Sequence, residues 1–452
     1  MRHPRFDDEE MKLRIQRYTA VGALGLAAAL ALTACSSSGT GGSSSDEPQA
    51  VPTTKGDGKT LTVWVMTGDY TPETIDAVNA EFTEQTGADV DVQIQQWDGI
   101  TTKISTALAT STPPDVLDLG NTQVASYAAN GALLDLTPYR DDLKQGQTWL
   151  TGLEEPATVD DSLYAVPGFA GARAVIYNKT MWAEAGVTEA PTTYDELTAD
   201  LDKVKAANTA SDFSAFYLPG QYWYAGMQFV WDAGGDIATS SDGTWTAGLE
   251  SKEAQQGLED FTEFQNAYST PASQTLDTDA PDQTQVFADG KTATILHTNG
   301  SIDLIQKANP ALTDDDFGTF PMPGKSGETQ PVMLGGSDWG IAAKSQNSDL
   351  ALQWTKIATS PDIQNEWVVG NDGWIPNSEE GIEAAGSVVT PIQKGFFDAA
   401  LNSKATPASA NWAALEGDKS INQLFSSVVS GSKSPEAAAK SFDEATDEAL
   451  ND

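Results

Sequence analysis

The order of strand and helix signals around residue 75 constrains the fold more than any other feature of this chain. Residues 61–66 form an apolar, β-branched run, residues 74–86 carry apolar side chains at helical spacing before Gly87, and residues 90–94 are typical of a second strand. A strand, a helix and a strand in this order predict a βαβ unit with parallel strands. Ligands of such sheets bind at the carboxyl ends of the strands, so we expect polar site residues there.

The length of the chain predicts two lobes, because roughly 390 ordered residues exceed what a single hydrophobic core supports. We expect an α/β fold in which each lobe is a mostly parallel sheet flanked by helices, with a ligand cleft between the lobes. Gly-rich turns near the lobe boundaries are where the chain is expected to cross. Lobe 1 is predicted at residues 60–169 and 332–378, and lobe 2 at residues 170–331 and 379–452.

The N-terminal residues predict export and lipid attachment. Three basic residues precede an apolar run at 20–32 that is too short to span a membrane, and Leu32-Thr33-Ala34-Cys35 follows. Cys35 is the only cysteine of the chain. The stretch resembles a bacterial lipobox, so we expect a signal peptide at residues 1–34 and lipidation at Cys35. The alternative is an ordinary cleaved signal with an incidental cysteine.

A Gly/Ser-rich segment follows Cys35, and we predict a flexible tether over residues 35–59. The folded body would then hang from the extracellular face of the cytoplasmic membrane, held by its N-terminal lipid. Acidic residues at positions 7–10 are unusual in a signal peptide and leave Met1 and Met11 open as the start of translation.

Charge and residue usage exclude several classes of function. The chain has 65 acidic and 25 basic residues, a net charge of −40, which repels nucleic acid. Beyond the predicted signal peptide the only histidine is His297, so histidine triads and His/Cys zinc sites are excluded. The acidic run 277–282 resembles a calcium loop but has Asp282 at the glycine position. We expect no catalytic residue, no metal and no cofactor.

Aromatic residues beside polar ones supply the candidate site. Sugars need flat apolar surfaces for their C–H faces and polar partners for hydroxyls that are otherwise buried unpaired. The densest cluster is Tyr222-Trp223-Tyr224, which could also be a helix start with its rings in the core. Trp339 and Trp374 stand in Gly-flanked turns, with core packing as the alternative. Arg173, in a chain poor in basic residues, is either functional or part of a salt bridge.

In these features the chain resembles the extracellular solute-binding proteins of carbohydrate importers, with a layout similar to maltose-binding protein. The blocks that carry the resemblance are Leu61 to Asp69, Asn79 to Gly87, Lys103 to Gly120, Asn130 to Tyr139, Ala174 to Lys179, Ala190 to Leu201, Phe287 to Asn299 and Gly335 to Ser345. The resemblance implies two lobes that close on a sugar and deliver it to an ATP-driven permease. It departs at Asn299-Gly300-Ser301-Ile302, where maltose-binding protein has a stacking Trp, so maltodextrin is not implied.

Strand ends and aromatics near the hinge are the ligand positions that this resemblance implies. Together with the aromatic argument they give these candidate residues: Asp69, Trp97, Asn121, Gln123, Arg173, Tyr222, Trp223, Tyr224, Asp338, Trp339 and Trp374. The expected protein is a lipid-anchored, non-catalytic binding protein for a sugar or oligosaccharide, with ABC importer permease subunits as partners. The alternatives are a secreted glycoside hydrolase, since a carboxylate pair is compatible with this acidic composition, and a binding protein for a non-sugar solute.

Overall fold

The computed structural model describes residues 48–241 and 243–451. The predicted signal peptide, Cys35 and both candidate start positions lie outside these residues. The strands, in chain order, are β1 (Thr60–Met66), β2 (Asp89–Gln95), β3 (Val116–Gly120), β4 (Thr158–Val159), β5 (Ser162–Leu163), β6 (Ala165–Gly171), β7 (Arg173–Asn178), β8 (Ala238–Ser241), β9 (Thr244–Ala247), β10 (Thr294–Thr298), β11 (Phe317–Phe320), β12 (Val332–Met333), β13 (Gly335–Ile341) and β14 (Ser403–Lys404).

Eighteen α-helices lie between and after these strands in the described residues. They are α1 (Pro72–Thr86), α2 (Ile100–Ala109), α3 (Val124–Ala129), α4 (Arg140–Lys144), α5 (Thr151–Glu154), α6 (Lys179–Glu184), α7 (Tyr194–Ala207), α8 (Trp223–Asp232), α9 (Lys252–Tyr268), α10 (Gln283–Ala288), α11 (Ser301–Ala308), α12 (Ser348–Ala358), α13 (Pro361–Ile363), α14 (Glu379–Ala385), α15 (Pro391–Ala400), α16 (Trp412–Gly417), α17 (Ser420–Val429) and α18 (Pro435–Asn451). In residues 48–241 and 243–451 none of them is long and apolar enough to cross a bilayer.

The first sheet has the strand order β2-β1-β3-β13-β6. β1 lies parallel to β2 and to β3, which confirms the predicted βαβ unit. β13 returns late in the chain and lies antiparallel between β3 and β6, with Trp339 opposite Asp118 and Val166. Alternate side chains of β1, among them Leu61 and Val63, are fully buried, as expected of a strand covered by helices. These residues form the hydrophobic core of lobe 1.

The second sheet has the order β10-β7-β11, and β7 lies antiparallel to both neighbours. Its core belongs to a separate cluster, so the chain has the predicted two lobes of mixed α and β structure. The sheet itself differs from the expected mostly parallel arrangement, because β7 is inserted between the two strands of the β10-α11-β11 unit. An apolar run in the sequence predicts a buried strand. Whether that strand runs parallel or antiparallel to its neighbours depends on where the chain enters the sheet.

Three chain segments lie side by side where the sheets meet. β6 ends at Gly171 in the first sheet and β7 begins at Arg173 in the second. Ala170 and Ile375 exchange backbone hydrogen bonds of 2.8 and 3.0 Å. At Gly336 of β13 a Cβ atom would lie 2.1 Å from the carbonyl oxygen of Phe169, so only glycine fits there. The crossing is therefore a close backbone junction.

Residues 48–59 differ from the predicted tether, since they pack on lobe 1. The backbone N–H of Val51 donates to Asp142 Oδ2 at 2.7 Å, and the Val51 side chain is buried in the core of lobe 1. The Gly56 N–H donates to the Thr86 carbonyl at 2.8 Å. Pro, Thr and Lys in this segment suggested a linker, but single apolar side chains and backbone donors are enough to hold it.

Candidate functional site

The carboxyl end of β1 supplies the first polar group of the site. Asp69 is 7% exposed, and its Oδ2 accepts a 2.5 Å hydrogen bond from Ser337 Oγ. Its backbone carbonyl accepts a 2.7 Å hydrogen bond from Trp374 Nε1. A turn after β1 places Asp69 at the sheet edge, where β13 and the returning chain at Trp374 reach it. Two of the predicted site residues, Asp69 and Trp374, are therefore in direct contact.

Burial raises the pKa of the carboxyl groups at this end of the sheet. Loss of water raises the pKa of Asp69 to about 6, while hydrogen bonds from Ser337 and Trp97 oppose the change. The pKa of Asp118 is raised well above its ordinary value by burial and by the nearby charge of Asp69. Asp118 Oδ2 accepts from the Met66 N–H at 2.9 Å, and its Oδ1 has no partner among the described residues.

Five aromatic rings form a row from the cleft into lobe 1. Trp374 stacks on Phe169 with centroids 4.7 Å apart, and Phe169 meets Tyr70 edge-on at 5.2 Å. Tyr70 stacks on Trp339 at 5.1 Å, and Trp339 meets Trp354 edge-on at 4.8 Å. Trp374 is half-buried, whereas Trp339 and Trp354 are in the core. Tyr70 is also half-buried, so Trp374 and Tyr70 are the members of the row with exposed ring surface.

The end of β3 adds a second aromatic surface. Trp97 is 41% exposed, and its ring lies 3.6 Å from where a Cβ of Gly120 would be. Gln123 lies beside it and accepts a 3.2 Å hydrogen bond from the Tyr127 hydroxyl. Asn121 is buried and donates to the Leu334 carbonyl at 2.9 Å, so its side chain ties the strand end to the lobe crossing.

Lobe 2 contributes a guanidinium held between two tyrosines. Arg173 Nε donates to the Tyr222 hydroxyl at 3.0 Å, and its guanidinium lies 3.7 Å from the ring centroid of Tyr224. Burial raises the pKa of both phenols, and the positive charge of Arg173 opposes this. The nearby His297 is kept neutral, because burial and Arg173 lower its pKa to about 4. Arg173 therefore provides fixed positive charge at the start of β7.

Glu416 joins the two lobes and was not predicted. The Tyr224 hydroxyl donates to Glu416 Oε1 at 2.8 Å. Glu416 also lies close to the turn after β3, where the Thr122 side chain lowers the pKa of this carboxyl. Burial raises the pKa of Glu416, while Tyr224, Arg173 and Thr122 act against it. Glu416 lies in α16 after a buried Trp412, and no local pattern marks such a residue as a site residue.

Asn299 also lies where the lobes meet. Its Nδ2 is 3.4 Å from the Gly373 carbonyl, and its Oδ1 is buried without a partner among the described residues. A Cβ at Gly171 would lie 3.7 Å from the Trp374 ring and 4.0 Å from Asn299 Oδ1. The departure from maltose-binding protein, in which a stacking Trp is missing, begins at this turn. Here Asn299 places an amide beside the Trp374 ring.

The structure brings some predicted residues together and places others in the interior. Asp69, Trp97, Gln123 and Trp374 surround the strand ends of lobe 1, and Arg173 and Tyr224 are the partly exposed predicted residues of lobe 2. The side chains in the interior or at the crossing are those of Asn121, Tyr222, Trp223, Asp338 and Trp339. Tyr222 is 5% exposed and is connected to the site through the hydrogen bond that its hydroxyl accepts from Arg173.

Three of these interior positions correct the expectation of ligand contact. Trp339 is 1% exposed, and Asp338 is fully buried with both carboxyl oxygens unpartnered among the described residues. Both belong to β13, and the Trp339 ring is enclosed between Tyr70 and Trp354. Trp223 is 3% exposed and meets Trp412 edge-on at 6.1 Å in the core of lobe 2. Glycines near Trp339 and the run of three aromatic residues at Trp223 favoured exposure, but tertiary packing covers these side chains.

A cavity of about 920 Å³ lies elsewhere and contains none of the predicted site residues. It is lined by residues such as Glu155, Asp236, Trp245 and Lys404. Within residues 48–241 and 243–451 no group of three or more His, Cys, Asp or Glu side chains is arranged to hold a metal ion. The aromatic and polar groups at the lobe junction therefore suit recognition of a polar organic molecule with a flat apolar face.

Known proteins resemble this chain over most of its length. A family model described as bacterial extracellular solute-binding protein matches residues 77–385. The diacetylchitobiose binding protein DasA of Streptomyces coelicolor is 33% identical over 93% of this chain and 96% of its own length. The sugar-binding protein MalE of Xanthomonas citri superimposes with a TM-score of 0.75 at 23% identity, covering 87% of this chain and 97% of that one. An ABC transporter solute binding protein of Thermotoga lettingae, bound with α-D-tagatose, has a TM-score of 0.65 at 25% identity, covering 87% and 100%.

Proposed function

The chain belongs to the family of bacterial extracellular solute-binding proteins, and on this premise we propose that it captures a sugar or short oligosaccharide between its lobes and delivers it to an ABC-type importer. The observation that carries the proposal is the meeting of half-buried aromatic rings with charged hydrogen-bonding groups from both lobes. Trp374 and Asp69 come from lobe 1, and Tyr224 and Arg173 from lobe 2.

A sugar ring suits this arrangement on physical grounds. Its C–H faces can cover the exposed rings of Trp97 and Trp374, and its hydroxyls can both donate and accept. The carboxyl of Asp69 accepts hydrogen bonds, whereas Arg173 donates them. Because both lobes supply contacts, the ligand stabilises the arrangement in which the lobes are together.

The remaining parts of the proposal concern anchoring and catalysis. A lipid on Cys35 would keep the protein at the extracellular face of the cytoplasmic membrane, near its permease. The proposed lobe 1 comprises residues 60–169 and 332–378, and the proposed lobe 2 comprises residues 170–331 and 379–452. The change of sheet after Gly171 supports this division. We assign no catalysis to the chain. A glycoside hydrolase would need an acid and a second carboxylate placed across one glycosidic bond.

Ligand binding is tested by titration calorimetry and thermal shift with purified protein. Diacetylchitobiose, named for the Streptomyces coelicolor relative, is the first ligand, and cellobiose, maltose and tagatose complete the set. A ligand at 100 times its Kd should raise the unfolding free energy by about 2.7 kcal/mol. Binding without release of monosaccharide after prolonged incubation is the expected result. Hydrolysis would favour the enzyme, and failure of every sugar would remove the proposal.

A further inference from the structure

The guanidinium of Arg173 has hydrogen-bonding capacity that the protein does not use. Nε donates to Tyr222, and one face of the group lies on the Tyr224 ring. Among the described residues Arg173 has no other hydrogen bond and no ion pair. Its two terminal nitrogens are therefore donors held in a fixed orientation without acceptors. Arg173 is one of only two arginines that follow Cys35, the other being Arg140.

Glu416 provides the complementary acceptor on the other side of the same tyrosine. Oε1 accepts from the Tyr224 hydroxyl at 2.8 Å, and the side chain is half-buried. A carboxylate has about four acceptor positions, so the bond from Tyr224 does not exhaust it. Glu416 and Arg173 do not form an ion pair with each other in the described part of the chain, although each influences the other electrostatically. Tyr224 thus holds a donor over its ring and an acceptor at its hydroxyl.

From this geometry we infer that Arg173 and Glu416 form a specificity-determining pair that recognises an acetamido group on the ligand, with the guanidinium donating to the acetamido carbonyl oxygen and the carboxylate accepting from its N–H. This inference rests on the proposed function, since it names the substituent that the sugar site selects. An acetamido group has one strong acceptor, its carbonyl oxygen, and one donor, its N–H, on opposite sides of the same carbonyl carbon.

Close analogues of one disaccharide separate this role from general sugar binding. Cellobiose carries hydroxyls where N,N′-diacetylchitobiose carries acetamido groups. A hydroxyl has its donor and its acceptor on one oxygen atom, so it matches the separate Arg173 donor and Glu416 acceptor only in part. Chitobiose with free amines is cationic at neutral pH, so it meets like charge at Arg173 and offers no carbonyl. The wild-type protein should therefore bind the diacetylated sugar most tightly, with each analogue weaker by about 10- to 100-fold, the range of one or two charged hydrogen bonds.

The test measures the ratio of dissociation constants for cellobiose and N,N′-diacetylchitobiose in each variant by titration calorimetry. Arg173→Gln should reduce the ratio to within about threefold of unity, because it loses the fixed charge and the fork of donors. Glu416→Gln should reduce it less, since an amide still accepts one hydrogen bond. The matched control is Arg140→Gln, in which an arginine bonded to Thr158 and the Asp161 carbonyl, outside the site, is changed in the same way. It should keep the wild-type ratio.

A ratio measured within one variant is insensitive to a loss of folded protein, because both ligands are affected alike. If Arg173→Gln retains the wild-type ratio, the inference is wrong while sugar binding stands. If the wild type binds cellobiose as well as the diacetylated sugar, the inference is also wrong. If it binds neither these sugars nor any other of the panel, both the inference and the proposed function fail.

Discussion

Ser337 Oγ donates a hydrogen bond of 2.5 Å to Asp69 Oδ2 and so joins the end of the first strand to the strand that returns from lobe 2. The bond lies in a buried environment that also contains the unpartnered oxygens of Asp118 and Asp338. No lysine or arginine among the described residues is placed to neutralise Asp69, and its pKa is raised chiefly by burial. Hydrogen bonds alone support its charge.

The raised pKa of Asp69 predicts a stability that falls as pH rises. The unfolded pKa is near 3.8 and the folded pKa about 6, so the folded state binds the proton more tightly over this interval. The unfolding free energy should therefore decrease between about pH 4 and pH 6, by about 3 kcal/mol at most from this group. Asp69→Asn, which does not titrate, should flatten the profile measured by urea unfolding.

The exposed Asp315 is the matched control for this experiment. Asp315→Asn should leave the slope of stability against pH unchanged. Equal slopes in wild type and Asp69→Asn would show that Asp69 is ionised in the folded protein as readily as in the unfolded chain, contrary to the expectation from its burial.

Trp223 and Tyr224 should respond differently to replacement by alanine. Trp223 is 3% exposed in the core of lobe 2, so Trp223→Ala should lower the unfolding free energy by about 3–5 kcal/mol. Tyr224 is half-buried with its ring against Arg173 and Trp223, and Tyr224→Ala should weaken sugar binding by roughly 10- to 100-fold, because Arg173 loses the ring that holds its guanidinium in place. Calorimetry and thermal unfolding of both variants separate the effects. Normal affinity in Tyr224→Ala would remove this ring from the site.

Ligand binding should bring the lobes closer together. The proposed site takes Trp374 and Asp69 from lobe 1 and Arg173 and Tyr224 from lobe 2. A ligand that touches both lobes stabilises the closed state by its differential affinity. Small-angle scattering with saturating sugar should give a smaller radius of gyration than without it. Superimposable curves at saturation would argue against hinge closure and leave binding itself unaffected.

Cys35→Ala should prevent membrane attachment. Without the thiol the lipid cannot be added, so the protein should appear in the medium or accumulate with its signal peptide uncleaved. Fractionation and immunoblotting of cells that express the full chain measure this, with Ser36→Ala as the control that keeps the cysteine. Retention of a processed Cys35→Ala protein in the membrane at wild-type levels would exclude the lipid anchor.

Local patterns were sufficient to predict the βαβ unit, because the β1-α1-β2 order followed from apolar spacing alone. The start of α7 is set locally as well, since Thr193 and Glu196 form a capping box. Such features depend on residues that are close in sequence. The position of Asp69 in the site was implied by the family resemblance.

Features set by distant contacts could not be predicted in this way. The direction of β7 depends on β10 and β11, which follow it by more than 100 residues in the chain. The burial of Trp339 depends on contact with Tyr70, which follows β1, and with Trp354 of α12. In the sequence Glu416 cannot be distinguished from the many acidic residues that are expected to be exposed. Its place near the site follows only from the packing of α16 against the turn after β3. Sequence patterns gave the kind of residue expected in the site, and tertiary contacts decide which of them reach it.

The position of β13 has a consequence for how the chain acquires its structure. The strand at Gly335–Ile341 lies between β3 and β6, so the first sheet stays in two parts until nearly three quarters of the chain is available. Pairing over such sequence separations is slow, because a long loop must close before any contact forms. The first sheet can therefore be completed only after Gly335–Ile341 is available, and lobe 1 as a whole should form late in folding.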